Sequence, residues 1–144
     1  MTLFAVLLGA NLDTLGKRNP AHYGTFTLDD ISARIRARAL ELQCDVDIVQ
    51  SNSESELVNW VHHRSEDVDG LLVNPGGFTV FGQALCDAVV DTGKPWIEVH
   101  MSNIHARNIH SIWTDHALGM ISGFHWRGYI AGLELLEAIV RSGL

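Results

Sequence analysis

Gly70-Leu-Leu-Val-Asn-Pro-Gly-Gly-Phe-Thr79 is the stretch on which the fold reading turns. Leu71 to Val73 is apolar without alternation, and then the chain meets an Asn-Pro-Gly-Gly turn. A strand with one face in water alternates apolar and polar side chains. An unbroken run ended by a turn describes a strand covered on both faces, which is the habit of parallel sheets. Working outward, the same texture recurs at LFAVLL from Leu3, VDIVQ from Val46 and PWIEVH from Pro95, with a weaker run, ALGMISGF, from Ala117.

Helical signals lie between these runs. Thr27 followed by Asp29 and Asp30 predicts a capped start, and Leu28, Ile31, Ile35 and Leu42 fall near one face. Ser53 predicts a second start, with Leu57, Trp60 and Val61 inward. A third helix is predicted over Phe81 to Val90 and a last one over Gly128 to Ile139, with Gly143 after its end. Strand and helix alternate along the chain, so right-handed crossovers must place helices on both faces of a parallel sheet. The expected fold is α/β: a flavodoxin-like three-layer sandwich with a five-stranded parallel sheet, as one domain over 1–144.

Composition narrows the function. The chain has 144 residues, 47% of them hydrophobic, which suits one folded core. Its net charge of -7 argues against nucleic acid or an anionic membrane as partner, because phosphate binding draws on Lys and Arg. It leaves room for a small anion at a locally positive site. Cys44 and Cys86 are far apart and form no CxxC, so two reduced thiols in a cytoplasmic protein are expected, with neither zinc nor a disulfide. The apolar start lacks a basic leader and reads as a buried strand, and no run approaches the ~20 apolar residues of a membrane span.

Ligands of open α/β sheets sit beyond the carboxyl ends of the strands, so the loops there carry the chemistry. The first, Gly9 to Thr25, is long for such a connection and holds Arg18 and Tyr23 around Pro20. A cation beside a phenol favours the phenolate, which can act as a general base. A packed tyrosine and a solvated arginine are the plainer reading of that pair alone. In the third loop Asn74 can reach the crevice, and Gly76 and Gly77 would let backbone N–H groups approach an anion. An ordinary turn explains the same residues. Glu98 and His100 alternate along the fourth strand and share a side. A carboxylate there can fix the imidazole tautomer and favour its protonated form, which suits a general acid. His105 and His110 lie close by, but their spacing is a weak metal signal, and no metal is expected.

Taken together, GANLDTLGKRNPAHYG, DGLLVNPGGFT, ALCDAV and IEVHMSNIHAR, with Gly128-Tyr129 opening the last helix, resemble the type II dehydroquinase family over nearly the whole chain. The first-loop pattern and the EVHxSNIHAR string are both long and specific. The resemblance implies a hydro-lyase that converts 3-dehydroquinate to 3-dehydroshikimate by anti elimination through an enolate, without metal, cofactor or Schiff base. The resemblance leaves two settings for that step, the shikimate pathway of aromatic amino acid biosynthesis or quinate catabolism. It further implies a homo-dodecamer built as a tetramer of trimers.

The family's roles map onto this chain as follows. Tyr23 would take the C2 proton, and Arg18 would hold it as phenolate on a mobile lid. Asn11 would position a water at the enolate oxygen, and His100, oriented by Glu98, would protonate the leaving hydroxyl. Asn74, with N–H groups around Met101 and Ser102, would hold the carboxylate, and Asp87 would reach a neighbouring subunit's site.

Departures from the family pattern fall in the part of the pocket that binds ring hydroxyls. Val80 stands where the family has a histidine, and Ser111 where it has an arginine. Gly77, Phe78 and Asp13 also differ from the family's Ala, Tyr and Asn. His110 or Trp113 are the nearby residues able to compensate. Three other readings therefore stand beside dehydroquinate dehydration. These are a diverged member acting on a less hydroxylated carboxylated ketone, a catalytically silent homologue that binds a small acid, and a flavin carrier. The last lacks a Ser/Thr-rich phosphate loop after the first strand.

Overall fold

The computed structural model describes residues 1–144. Strands β1 (Leu3–Ala10), β2 (Asp45–Gln50), β3 (Gly70–Gly76), β4 (Trp96–His100) and β5 (Met120–Ser122) form one sheet in the order β2-β1-β3-β4-β5. Every adjacent pair is parallel. The helices are α1 (Pro20–Tyr23), α2 (Leu28–Glu41), α3 (Glu54–Arg64), α4 (Gln83–Asp91) and α5 (Arg127–Ser142).

The continuous apolar runs follow from burial on both faces. Along β1, Phe4, Val6 and Leu8 face the core shared with α2 and α5, whereas Ala5 and Leu7 face the core shared with α3 and α4. Each of these five side chains is fully buried, and each large one contributes ~1.5–3 kcal/mol.

Helix starts follow the side-chain chemistry. Thr27 Oγ1 accepts from Asp30 N–H and the Asp30 carboxylate accepts from Thr27 N–H, a reciprocal cap that starts α2. Hydrogen bonds from the backbone and side chain of Thr27 hold the Asp30 carboxyl below its usual range. Ile31, Ile35 and Ala39 are the buried face of α2, while Leu28 and Leu42 are half-buried at its ends. Ser53 Oγ caps α3 by accepting from Glu56 N–H. Leu57 and Val61 are buried behind that cap, and Trp60 only partly so.

One local expectation needs correction, and two elements gain detail. The helix predicted from Phe81 starts at Gln83 instead, because Gly77 to Phe81 form a turn and Phe81 is 88% exposed. The fifth strand is only three residues long. The first loop contains a 3-10 turn at Leu12–Thr14 and the short helix α1, in which Pro20 takes the first position.

The sheet order reverses direction between β1 and β3, and this is where an open α/β sheet leaves its crevice. The two strand ends approach closely there. A Cβ on Gly9 would lie 1.8 Å from the Pro75 carbonyl oxygen. One on Gly76, whose φ is +55°, would lie 2.5 Å from that of Ala10. Only glycine allows this contact. Cys44 and Cys86 are free and buried, and burial pushes the Cys86 thiol up to about 11.

Candidate active site

A cavity of about 290 Å³ opens at the carboxyl ends of β1, β3 and β4. Arg18 and Tyr23 enter it from the first loop, Asn74 from β3, His100 from β4, and Ser102 and Arg107 from the loop after β4. Although the chain carries a net charge of -7, two arginines and a histidine line this cavity and no carboxylate does. The lining is therefore locally positive on an acidic protein, which suits an anion.

Asn19 caps α1 by accepting from Ala21 N–H, and this single turn carries Tyr23 toward the strand ends. Arg107 Nη1 donates to the Tyr23 hydroxyl at 2.9 Å and to Ser102 Oγ at 2.9 Å. The Arg18 guanidinium instead lies over the tyrosine ring, 3.9 Å from its centroid. The sequence reading gave Arg18 the task of holding the phenolate. The structure puts Arg107 on that oxygen and Arg18 on the ring face. A turn positions Arg107: Arg107 N–H donates to Ile104 O, Asn108 N–H donates to His105 O, and Asn108 has φ +56°.

His100 and Glu98 meet as their alternation required. His100 Nε2–H donates to Glu98 Oε2 at 2.5 Å, and Glu98 is fully buried. Burial raises the Glu98 carboxyl, but hydrogen bonds from His100, Ser111 and Thr114 outweigh it and hold the group below the usual carboxylate range. An ionised carboxylate only accepts, so the proton of that contact sits on Nε2. Nδ1 is left as the ring nitrogen without a protein partner.

Asn74 is braced on both sides of its amide. Nδ2 donates to the Tyr129 hydroxyl at 2.7 Å and Oδ1 accepts from Gly76 N–H at 3.0 Å. Burial pushes the Tyr129 phenol well above the tyrosine range, so Tyr129 is a neutral support. The N–H groups of Met101 and Ser102 have no acceptor in the chain, and both residues border the cavity.

Other expected positions fall differently. Gly76 and Gly77 do not offer N–H groups to an anion, because these donate to Asn74 Oδ1 and Ala10 O. Ser111 does not face the cavity: its hydroxyl donates to Glu98 Oε2 at 2.5 Å. Val80 does line the cavity and is 41% exposed. Neither candidate compensator lines it, since Trp113 is buried in the core of α3 and α4 and His110 is exposed, while Ile104 and Ile109 supply apolar wall. Asn11 lies outside the lining, left-handed at φ 73°, with its N–H donating to Asn52 Oδ1. Asp87 is exposed on α4, away from this cavity, and accepts from Gln83 Nε2. His105 and His110 stack edge to face, and no cluster of metal-ligating side chains forms.

A strand-end imidazole fixed by a buried carboxylate and a loop tyrosine held by arginine, set in a flavodoxin-like sheet, define an acid–base site for a small anion. Residues 2–137 match the family described as Dehydroquinase class II, and the chain belongs to that family. It is 40% identical to a 3-dehydroquinate dehydratase of Halothermothrix orenii over 99% of both chains. It is 44% identical to one of Desulforudis audaxviator over 96% of this chain and 94% of that one. Among solved structures, the type II dehydroquinase of Propionibacterium acnes superposes with a TM-score of 0.90 at 38% identity, covering 96% of this chain and 97% of the other.

Proposed function

We propose that this protein is a hydro-lyase that dehydrates 3-dehydroquinate to 3-dehydroshikimate by anti elimination through an enolate. The observation that carries the reading is the acid–base pair: a tyrosine hydroxyl bonded to a guanidinium and an imidazole pinned by a carboxylate, brought to one cavity by different elements. Loss of water β to a ketone needs a base at the α-carbon and an acid at the leaving oxygen. Groups on a loop and on a strand end can reach opposite faces of a ring.

In the reaction, Tyr23 removes the α-proton through its oxygen, which Arg107 contacts while Arg18 covers the ring. Charge moves to the carbonyl oxygen, where Asn11, outside the lining but with its amide beside Gly77 at the cavity edge, serves by holding a water. His100 gives a proton from Nδ1 to the departing hydroxyl, while its Nε2–H stays hydrogen-bonded to the Glu98 carboxylate. The substrate carboxylate takes the free N–H groups of Met101 and Ser102 beside the Asn74 amide. Each proton-transfer group supplies ~10²–10⁴ in rate.

The assembly belongs to the same proposal: a tetramer of trimers in which Asp87 meets a neighbouring subunit's site, which its exposure on α4 permits. Buried, unpaired Cys44 and Cys86 fit a reducing cytoplasm, and no helix is long and apolar enough to cross a membrane.

The test is incubation with 3-dehydroquinate while following the enone absorbance of the product, with Tyr23→Phe as control. Turnover that disappears in the variant supports the reading. A wild-type protein without turnover overturns it.

A further inference from the structure

We infer that Ser111 is a positioning residue for His100 and acts through Glu98. The inference rests on the reading above, in which His100 is the proton donor. Ser111 Oγ and His100 Nε2 both donate to the same oxygen, Glu98 Oε2, each at 2.5 Å. Thr114 Oγ1 donates to the other oxygen, Oε1, at 2.5 Å. The carboxylate, fully out of water, is thus gripped from three directions and cannot rotate without breaking charge-assisted bonds.

The serine hydroxyl is itself set in place. It accepts the N–H of Trp113 at 3.1 Å, so its own proton is free to point at Glu98. Trp113 is fully buried, and its indole N–H donates to Phe78 O at 3.0 Å. Ile112 N–H donates to Thr79 O at 3.1 Å. Ser111 therefore transmits the position of a fixed frame to Glu98, and Glu98 to the imidazole. Without the Ser111 bond Oε2 has one donor fewer, the carboxylate gains freedom about its last torsion, and the Nε2 proton is no longer confined to one tautomer.

Ser111→Ala and Ser111→Thr test this in the intact protein. With Ser111→Ala, kcat for 3-dehydroquinate should fall about tenfold, the equivalent of one charge-assisted hydrogen bond, while KM stays within about twofold. Ser111→Thr, which keeps the hydroxyl, should restore kcat. Independently of turnover, ¹H–¹⁵N spectra of histidine-labelled protein, recorded across pH, should show the neutral form of His100 in wild type as the single Nε2–H tautomer, and in Ser111→Ala as an averaged tautomer mixture. If Ser111→Ala does not fold, Ser111→Cys, a far weaker donor, carries the same comparison. Unchanged kcat with an unchanged His100 pattern overturns the inference. So does a higher KM at constant kcat, which would put Ser111 on the substrate. If wild type does not turn over 3-dehydroquinate but Ser111→Ala still alters the His100 pattern, the substrate reading fails and the positioning role stands.

Discussion

Arg107 holds Tyr23 by its oxygen, at 2.9 Å, whereas Arg18 holds it by its ring. These contacts are worth different amounts. A hydrogen bond to a charged group contributes ~1.5–3 kcal/mol, and a partly exposed cation–π contact ~0.5–1 kcal/mol. Arg107→Met should therefore cost about ten- to a hundredfold in kcat/KM at neutral pH, and Arg18→Ala less than about tenfold. Steady-state kinetics on the two variants decide between the arginines; a larger loss in Arg18→Ala than in Arg107→Met would reverse the assignment.

Tyr23→Phe and His100→Ala should each lower kcat by at least ~10², since each removes one proton transfer. Circular dichroism should show both variants folded, because Tyr23 is half-buried on a loop helix and His100 sits at a strand exit. A variant that keeps wild-type turnover would remove its residue from the mechanism.

Glu98 predicts a pH dependence of stability. Its folded-state carboxyl lies below the usual carboxylate range, so its stabilising effect is present above the unfolded value near ~4.3 and is lost as pH falls through the folded value. Glu98→Gln should be less stable than wild type at pH 7 by ~1–3 kcal/mol. The gap should close on acidification. Urea unfolding of both proteins between pH 3 and 7 measures it, and a gap that widens in acid would contradict the bonding described.

Val80 leaves an apolar wall where the family carries a histidine. A ring hydroxyl facing valine has no partner, which costs ~1–3 kcal/mol. Val80→His should raise kcat/KM for 3-dehydroquinate about tenfold. Ser111→Arg should lower it, because that side chain would displace the hydroxyl bound to Glu98. Steady-state kinetics on the two single variants separates these effects; equal gains from both would mean that Ser111 opens onto the substrate after all.

Assembly makes a prediction through Asp87. If this residue serves a neighbouring site, mixing separately inactive Asp87→Ala and Tyr23→Phe subunits should recover part of the activity, since some sites then pair an intact Tyr23 with an intact Asp87. Light scattering should report twelve chains. A monomeric particle, or no recovery after subunits have exchanged, counts against the shared site.

The strands were legible because burial on both faces writes itself as continuous runs, and LFAVLL, VDIVQ, GLLVN and PWIEVH all became strands. The capped starts of α2 and α3 were legible for a similar reason, since Thr27 and Ser53 bond within their own turns. Phe81 misled because an apolar residue beside a helix reads as helix, while its turn was fixed by the close approach of Gly82 and Phe78. Arg107 ends the specific IEVHMSNIHAR run, and nothing in that run assigns it a role. Its placement follows a turn closed by a left-handed Asn108, a conformation that asparagine favours, but no local pattern says which loop side chain the turn brings to Tyr23. Ser111 was read as pocket lining by correspondence with an arginine. A short hydroxyl side chain could satisfy a buried carboxylate instead, and only the third dimension shows which it does.

The backbone tie from Ile112 to Thr79 and the indole tie from Trp113 to Phe78 join the strand-end loops after β3 and β4 into one block. Valine, asparagine and imidazole are mounted on that block, while the tyrosine arrives from a separate loop. The acid and the anion cradle therefore keep their mutual spacing whatever the tyrosine loop does. Dipoles fixed in advance need little reorientation when negative charge develops on the ring, which lowers the barrier most where water would have to rearrange.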